Sequence, residues 1–233
     1  MTMRLNPLLV FVAVVVIGVA VIYVALQAPE RAPESPHGTT VTPGALPTWS
    51  VGDNWMYENS TGAIYTYSVT SEGQFDPPWD NTPCYHVTGT IDPPSEWGGN
   101  ILQWYRKATL DFRKDRVFGG DRDRSSTFTH SYSADPWPLE VGKTYTVTTD
   151  ESTDRTISGD GYTEGSSHTF QITIETFENV SVSGQKFECF KLIKREGGTL
   201  VETRWYSDVV KREVKRINHQ TGEVLELVSY RVQ

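Results

Sequence analysis

Cys84 and Cys189 are the only cysteines in the chain, and each opens a similar strand-like phrase, CYHVTGT and CFKLIKR. Two outcomes fit that placement. One is a disulfide across a loop of about a hundred residues, worth at most about 4.7 kcal/mol in the chain-entropy relation, and the other is a pair of separately buried thiols. Asp80, Cys84 and His86 fall close together in WDNTPCYH, but no second Cys/His pair has ligand spacing, so neither a metal site nor a cofactor is expected. The acidic turns GGDRDRSS and SGDGYTEG miss the D-x-D-x-D-G calcium pattern, and the first interleaves arginines that repel a cation. G-x-S-x-G and H-E-x-x-H are missing, and the histidines are scattered through polar stretches, so no catalytic residue is assigned.

Aromatic residues offer more. Trp55, Tyr57 and Tyr145 occupy alternate positions after Val-Gly turns and are candidates to line an interior or contact a ligand. Trp79 and Trp97 sit in the loops FDPPWDN and IDPPSEWGGN, where neighbouring prolines forbid regular pairing and leave the rings as anchors for a partner. Asn59-Ser60-Thr61 and Asn179-Val180-Ser181 match the N-glycosylation pattern in what read as turns. Two segments, 106–124 and 186–216, are locally basic. They read as strands whose solvated long side chains cover apolar neighbours, with contact to anionic headgroups as the rival.

The elements that must carry these residues are strands. AIYTYSVT, YTVTT, HTFQITIETF and FECFKLIKR alternate and are bounded by Gly, Pro, Asn or Asp, and no window after Trp49 sustains a helical apolar period. WSVGDNWMYEN returns as WPLEVGKTYTVTT, CYHVTGT as CFKLIKR, and WYRKATLDFRKDRVF as WYSDVVKREVKRIN, in the same order. The offsets are 90 residues for Val51 to Val141, 105 for Cys84 to Cys189, and 101 for Trp104 to Trp205. Such spacing fits two copies of one meander that differ by loop insertions, about 48–136 and 137–233.

The phrase W-P-L-x-V-G-K, followed by F-x-C-F-K-L and W-Y-S, resembles secreted and membrane-anchored β-proteins of the DUF3108-like type, distantly like the lipoprotein-carrier (LolA-like) half-barrel. The resemblance covers mainly Trp137 to Tyr230. It implies a curved antiparallel sheet with an apolar concavity and brings no catalytic residues. The expected fold is therefore all-β, an antiparallel curved sheet or half-barrel built from two duplicated meanders.

Ahead of it, residues 8–26 form a nineteen-residue run without a charge, long enough as a helix to cross a bilayer core of about 30 Å. Residues 1–7 are then a cytoplasmic N-terminus, 27–47 a proline-rich linker, and 48–233 a β-domain outside the cytoplasm, in a single-pass protein of the cell membrane. The net charge of −8 argues against a nucleic-acid partner. Together these readings describe a non-catalytic binding domain, for a lipid or other apolar ligand or for an envelope protein. A structural component of the cell envelope is the alternative, and an extracytoplasmic hydrolase comes third.

Overall fold

A computed structural model describes residues 42–75 and 81–233. The expected membrane span, most of the linker, Trp79 and Asp80 lie outside the described residues, among which no helix is long and apolar enough to cross a membrane. Twelve strands follow one another: β1 (Asn54–Asn59), β2 (Ile64–Gln74), β3 (Pro83–Ser95), β4 (Gly98–Arg106), β5 (Phe112–Gly119), β6 (Arg122–Tyr132), β7 (Thr144–Ile157), β8 (Asp160–Val182), β9 (Gln185–Glu196), β10 (Thr199–Ser207), β11 (Arg212–Asn218) and β12 (Val224–Arg231). Each pairs antiparallel with its neighbours in sequence. The WYRKATLDFRK stretch is the end of β4, a turn, and the start of β5.

The sheet closes, which corrects the expected open half-barrel. β1 pairs with β12 through Trp55 opposite Tyr230 and Tyr57 opposite Leu227, so the twelve strands form a closed barrel. The physical reason is the edge: a six-stranded meander leaves two rows of unpaired backbone groups, and the β6–β7 and β12–β1 seams remove them all.

The two halves repeat one another in detail, six strands each. Gly52 donates its N–H to Val69 O (2.9 Å) while Val69 N–H returns to Asp53 O (2.9 Å); Gly142 and Ile174 make the same pair with Ile174 and Lys143 at 2.8 and 2.9 Å. Both glycines have positive φ, 98° and 89°, which is why the recurring phrase carries Gly there. Bulges fall at matching places, between Val69 and Ser71 and between Ile174 and Thr176, and again after Trp104 and after Trp205. Each half also reaches into the other. Trp49 Nε1 donates to Lys211 O (2.9 Å) and Trp137 Nε1 to Thr109 O (3.0 Å), so each leading tryptophan fastens the β-turn of the opposite half.

Because the meander alternates direction, the hairpin turns after β1, β3, β5, β7, β9 and β11 gather at one end, here called the rim. The two tryptophans and the turns after β4 and β10 lie at the other, the base. The base is packed with aromatics: Trp49 meets Tyr105 edge-on at 4.9 Å and 70°, and Trp137 meets Tyr206 at 5.3 Å and 73°. Trp55, 1 % exposed, donates Nε1–H to Val210 O (2.9 Å) and packs in the larger core with Val69, Val87 and Leu227. Truncating it to alanine would cost about 3–5 kcal/mol.

Candidate binding cavity

Strand alternation sends every second residue inward, and between β5 and β11 those residues do not meet across the barrel. They leave a cavity of about 410 Å³. Its floor is Trp137, Leu139, Tyr145 and Tyr206. One wall is a run of rings carried on β5, β6 and β7: Phe112 to Phe128 at 6.2 Å, Phe128 to His130 at 6.2 Å, His130 to Tyr132 at 6.2 Å, and Tyr132 to Tyr145 at 6.3 Å. The opposite wall is Phe170, Ile172 and Leu192, continued toward the rim by Lys194, Glu202 and Arg204. Burial pushes the Tyr145 phenol up to about 12, so it is a neutral donor against the cavity.

Charge is placed along β10. Glu202 and Arg204 are two residues apart and share the inward face, with Arg204 Nε 2.6 Å from Glu202 Oε1. Burial alone would raise the Glu202 carboxyl, but Arg204, Lys194 and Arg216 outweigh it and hold it below the usual range. Arg204 keeps its charge although it lies deep in the barrel, because Glu202 and Glu213 face it. Its side chain is 40 % accessible, since it borders the cavity.

In the first half the corresponding space is filled by the protein itself. Arg212, 7 % exposed, lays its guanidinium among five rings: Tyr67 at 4.5 Å, Trp55 at 5.1 Å, Tyr105 at 5.5 Å, Trp49 at 5.7 Å and Tyr57 at 5.8 Å. Nη2 donates to Tyr105 Oη (2.8 Å), while Nη1 has no hydrogen-bond partner among the described residues and faces π-clouds instead. By the 101-residue offset, Arg212 of the second copy corresponds to Asp111 of the first, which borders the aromatic-floored cavity. Asp111 folds back toward Arg106 (3.7 Å) and His130 (3.8 Å) and does not fill the cage. A second hollow of about 530 Å³ near the rim of the first half is bordered by Tyr57, Trp97 and Arg124. Its walls are predominantly polar, so the aromatic-floored cavity is the better ligand site.

Thr149, His130 and Asp111 sit in a triad-like row on the cavity wall, but their hydrogen bonds are those of a self-contained cluster. His130 Nε2–H donates to Phe112 O (2.8 Å) and Nδ1 accepts from Thr149 Oγ1 (2.9 Å), so the ring is neutral and satisfied at both nitrogens. Burial, outweighing Asp111, lowers its pKa further. The backbone around Thr149 is committed to the β6–β7–β8 ladder, which leaves no amide pair there to stabilise an oxyanion.

The sequence candidates separate. Tyr145 lines the aromatic-floored cavity, Tyr57 and Trp97 line the rim hollow, and Trp55 belongs to the core. Cys84 and Cys189 are two buried thiols and no disulfide joins them, because β3 and β9 stand six strands apart around the barrel. Burial pushes the Cys189 thiol up to about 12. His86 contacts Ser71 Oγ at 3.1 Å and packs on Trp104, and among the described residues no group of three His, Cys, Asp or Glu is arranged for a metal. Asn59 caps its own turn, Oδ1 accepting from Thr61 and Ala63 while Nδ2 donates to Glu223; Asn179 lies within β8 and is exposed, so it is a strand residue and not a turn residue.

Sequence reading missed Trp137, Tyr206, Lys194, Glu202, Arg204 and Arg212 as cavity residues. Reading the basic segments as solvated outer faces is corrected here, since Arg124, Lys194, Arg204, Arg212 and Arg216 all border interior cavities. A usable signal was present: Glu202 and Arg204 stand where the first copy has Ile101 and Gln103. Comparison with protein-family models, with curated proteins and with solved structures returns no match.

Proposed function

We propose that this protein is a non-catalytic binding protein that carries a small amphiphilic molecule in the aromatic-floored cavity of its barrel. The observation that carries this reading is the cavity of about 410 Å³, floored by Trp137, Tyr145 and Tyr206 and charged on one wall by Glu202 and Arg204. Its volume is within the about 300–1,000 Å³ usual for small-molecule sites, and its mixture of apolar surface with a few placed polar groups is what such sites use for orientation. Of the expected lipid or other apolar ligand, the charged wall favours an amphiphile such as a lipid over a wholly apolar molecule. A lumen cluster satisfied by its own hydrogen bonds supports binding over turnover.

We read the uncharged run at residues 8–26 as a membrane anchor, with the barrel outside the cytoplasm as an envelope-facing carrier or sensor, in keeping with the resemblance to lipoprotein-carrier domains. Native mass spectrometry of the full chain extracted from its own membrane tests the reading. A co-purifying small molecule is expected, and it should be lost when Tyr145 is changed to arginine in a protein that keeps its β spectrum. A ligand-free wild type, or a ligand indifferent to Tyr145→Arg, would sink it.

A further inference from the structure

The cavity is lined by five Lys or Arg side chains against four Asp or Glu side chains, one more cation than carboxylate. Arg204 and Arg216 lie 2.6 and 4.0 Å from Glu202, Arg212 lies 3.9 Å from Glu213, and Lys211 lies 3.9 Å from Asp53. Lys194 differs: among the described residues no carboxylate comes within 4.0 Å of its ammonium. It stands instead over the Phe170 ring, 3.8 Å from the centroid.

The fold does not require a lysine there. By the 105-residue offset that relates Cys84 to Cys189, Lys194 corresponds to Gly89, where a Cβ would come within 2.1 Å of Thr66 O. The first half builds the same strand with no side chain at all. Lys194 is half-buried, and its presence in one half alone, on the wall of the open cavity and outside ion-pair distance of Glu202 and Glu196, points to a closer counter-charge that arrives from outside.

We propose that Lys194 binds the headgroup of a monoanionic carboxylate amphiphile whose apolar body lies against Tyr145, Ile172 and Leu192. This rests on the cavity reading above and adds the sign and class of the ligand. One surplus positive charge matches a monoanion; a phosphate dianion would lie beside Glu202 with a negative charge left over.

The protonation of Lys194 supports the assignment. Burial first, then Arg204 and Arg216, bring its pKa down to about 8, opposed by Glu202 and Glu196. The charges facing it are Glu196 on its own strand, Glu202 and Arg204 on β10, Arg216 on β11, and His168 on β8, which bonds Glu196 at 2.7 Å. Below that pKa the ammonium is present to hold an anion. Above it the charge is lost, so carboxylate affinity falls as pH rises through about 8.

The test is calorimetric titration of the full chain in nanodiscs, with empty nanodiscs as the blank, using decanoate, decanol and decylammonium. Decanoate should bind at least about tenfold more tightly than decanol near neutral pH, the scale of one charge-assisted contact. Lys194→Met should erase that preference and Lys194→Arg should keep it, each variant first shown to retain the wild-type circular dichroism. Decanol or decylammonium binding as tightly as decanoate, or a preference that survives Lys194→Met, overturns the lysine assignment and leaves the cavity standing. If none of the three probes binds, the cavity reading falls with it.

Discussion

Replacing Arg212 by methionine should destabilise the barrel by about 3–5 kcal/mol, the usual cost of removing one member of a buried ion pair. The guanidinium is 7 % exposed, and its bond to Tyr105 Oη at 2.8 Å is a charged-group hydrogen bond worth about 1.5–3 kcal/mol. Loss of the five ring faces adds up to about 2 kcal/mol, partly offset because methionine refills apolar volume. Glu213, 3.9 Å away, is left without its first counter-ion. Burial alone would raise the Glu213 carboxyl, but Arg212, then Arg204 and Arg216, hold it low. A carboxyl with a depressed folded pKa contributes stability above its unfolded pKa and loses it as pH falls through the folded value. Without Arg212 the Glu213 pKa rises, so the deficit of the variant is largest near neutral pH and shrinks in acid, where Glu213 takes up a proton. Urea unfolding of residues 42–233 near pH 7 and near pH 4, either side of the carboxylate range, measures this. Adding Glu213→Gln to Arg212→Met should recover about half of the loss or more, since replacing both partners avoids an orphaned charge. A loss below about 1 kcal/mol, no recovery in the double variant, or a deficit that grows in acid would refute the reasoning.

Residues 42–233, expressed alone, should be β-rich by circular dichroism, because the Gly44–Leu139 bridge and the β1–β12 seam lie within them; a helical spectrum would contradict the closed barrel. Cys84 and Cys189 should resist a thiol reagent until the protein unfolds, and peptide mapping of protein from an oxidising compartment should show no bridge between them, whereas fast labelling or a linked peptide would contradict their burial. Trp49→Phe and Trp137→Phe should each cost about 1–3 kcal/mol in urea unfolding, one hydrogen bond and some packing apiece; one neutral and one severe result would break the equivalence of the two halves.

The repeat was legible because it rests on residues that must be what they are. Gly52 and Gly142 hold positive φ, and the tryptophans before them close the base, so the phrase survives in both copies. Closure was not legible. Alternation along β1 or β12 says which face is inward but not that Trp55 will find Tyr230 across a seam between the first strand and the last. The charged wall was hidden for a related reason. A strand such as Thr199–Ser207 alternates Glu202 and Arg204 with Val201 and Thr203, and in a solid-cored sheet the charged set would face solvent. Inside a barrel with an open lumen the two faces exchange roles: Val201 and Thr203 are buried on the outer side while Glu202 and Arg204 line the cavity. Tyr145 is legible from its place after the Val-Gly turn, whereas Lys194 is not, because its strand resembles one with solvated long side chains.

A crystal structure of residues 42–233 grown with omega-bromodecanoate tests the central claim most directly, because the bromine is located by its own anomalous signal. The account predicts bromine in the second half, among Trp137, Tyr145 and Tyr206, with the carboxylate at Lys194. Bromine in the rim hollow of the first half beside Trp97, or on the outer face of the barrel with the aromatic-floored cavity unoccupied, would contradict it.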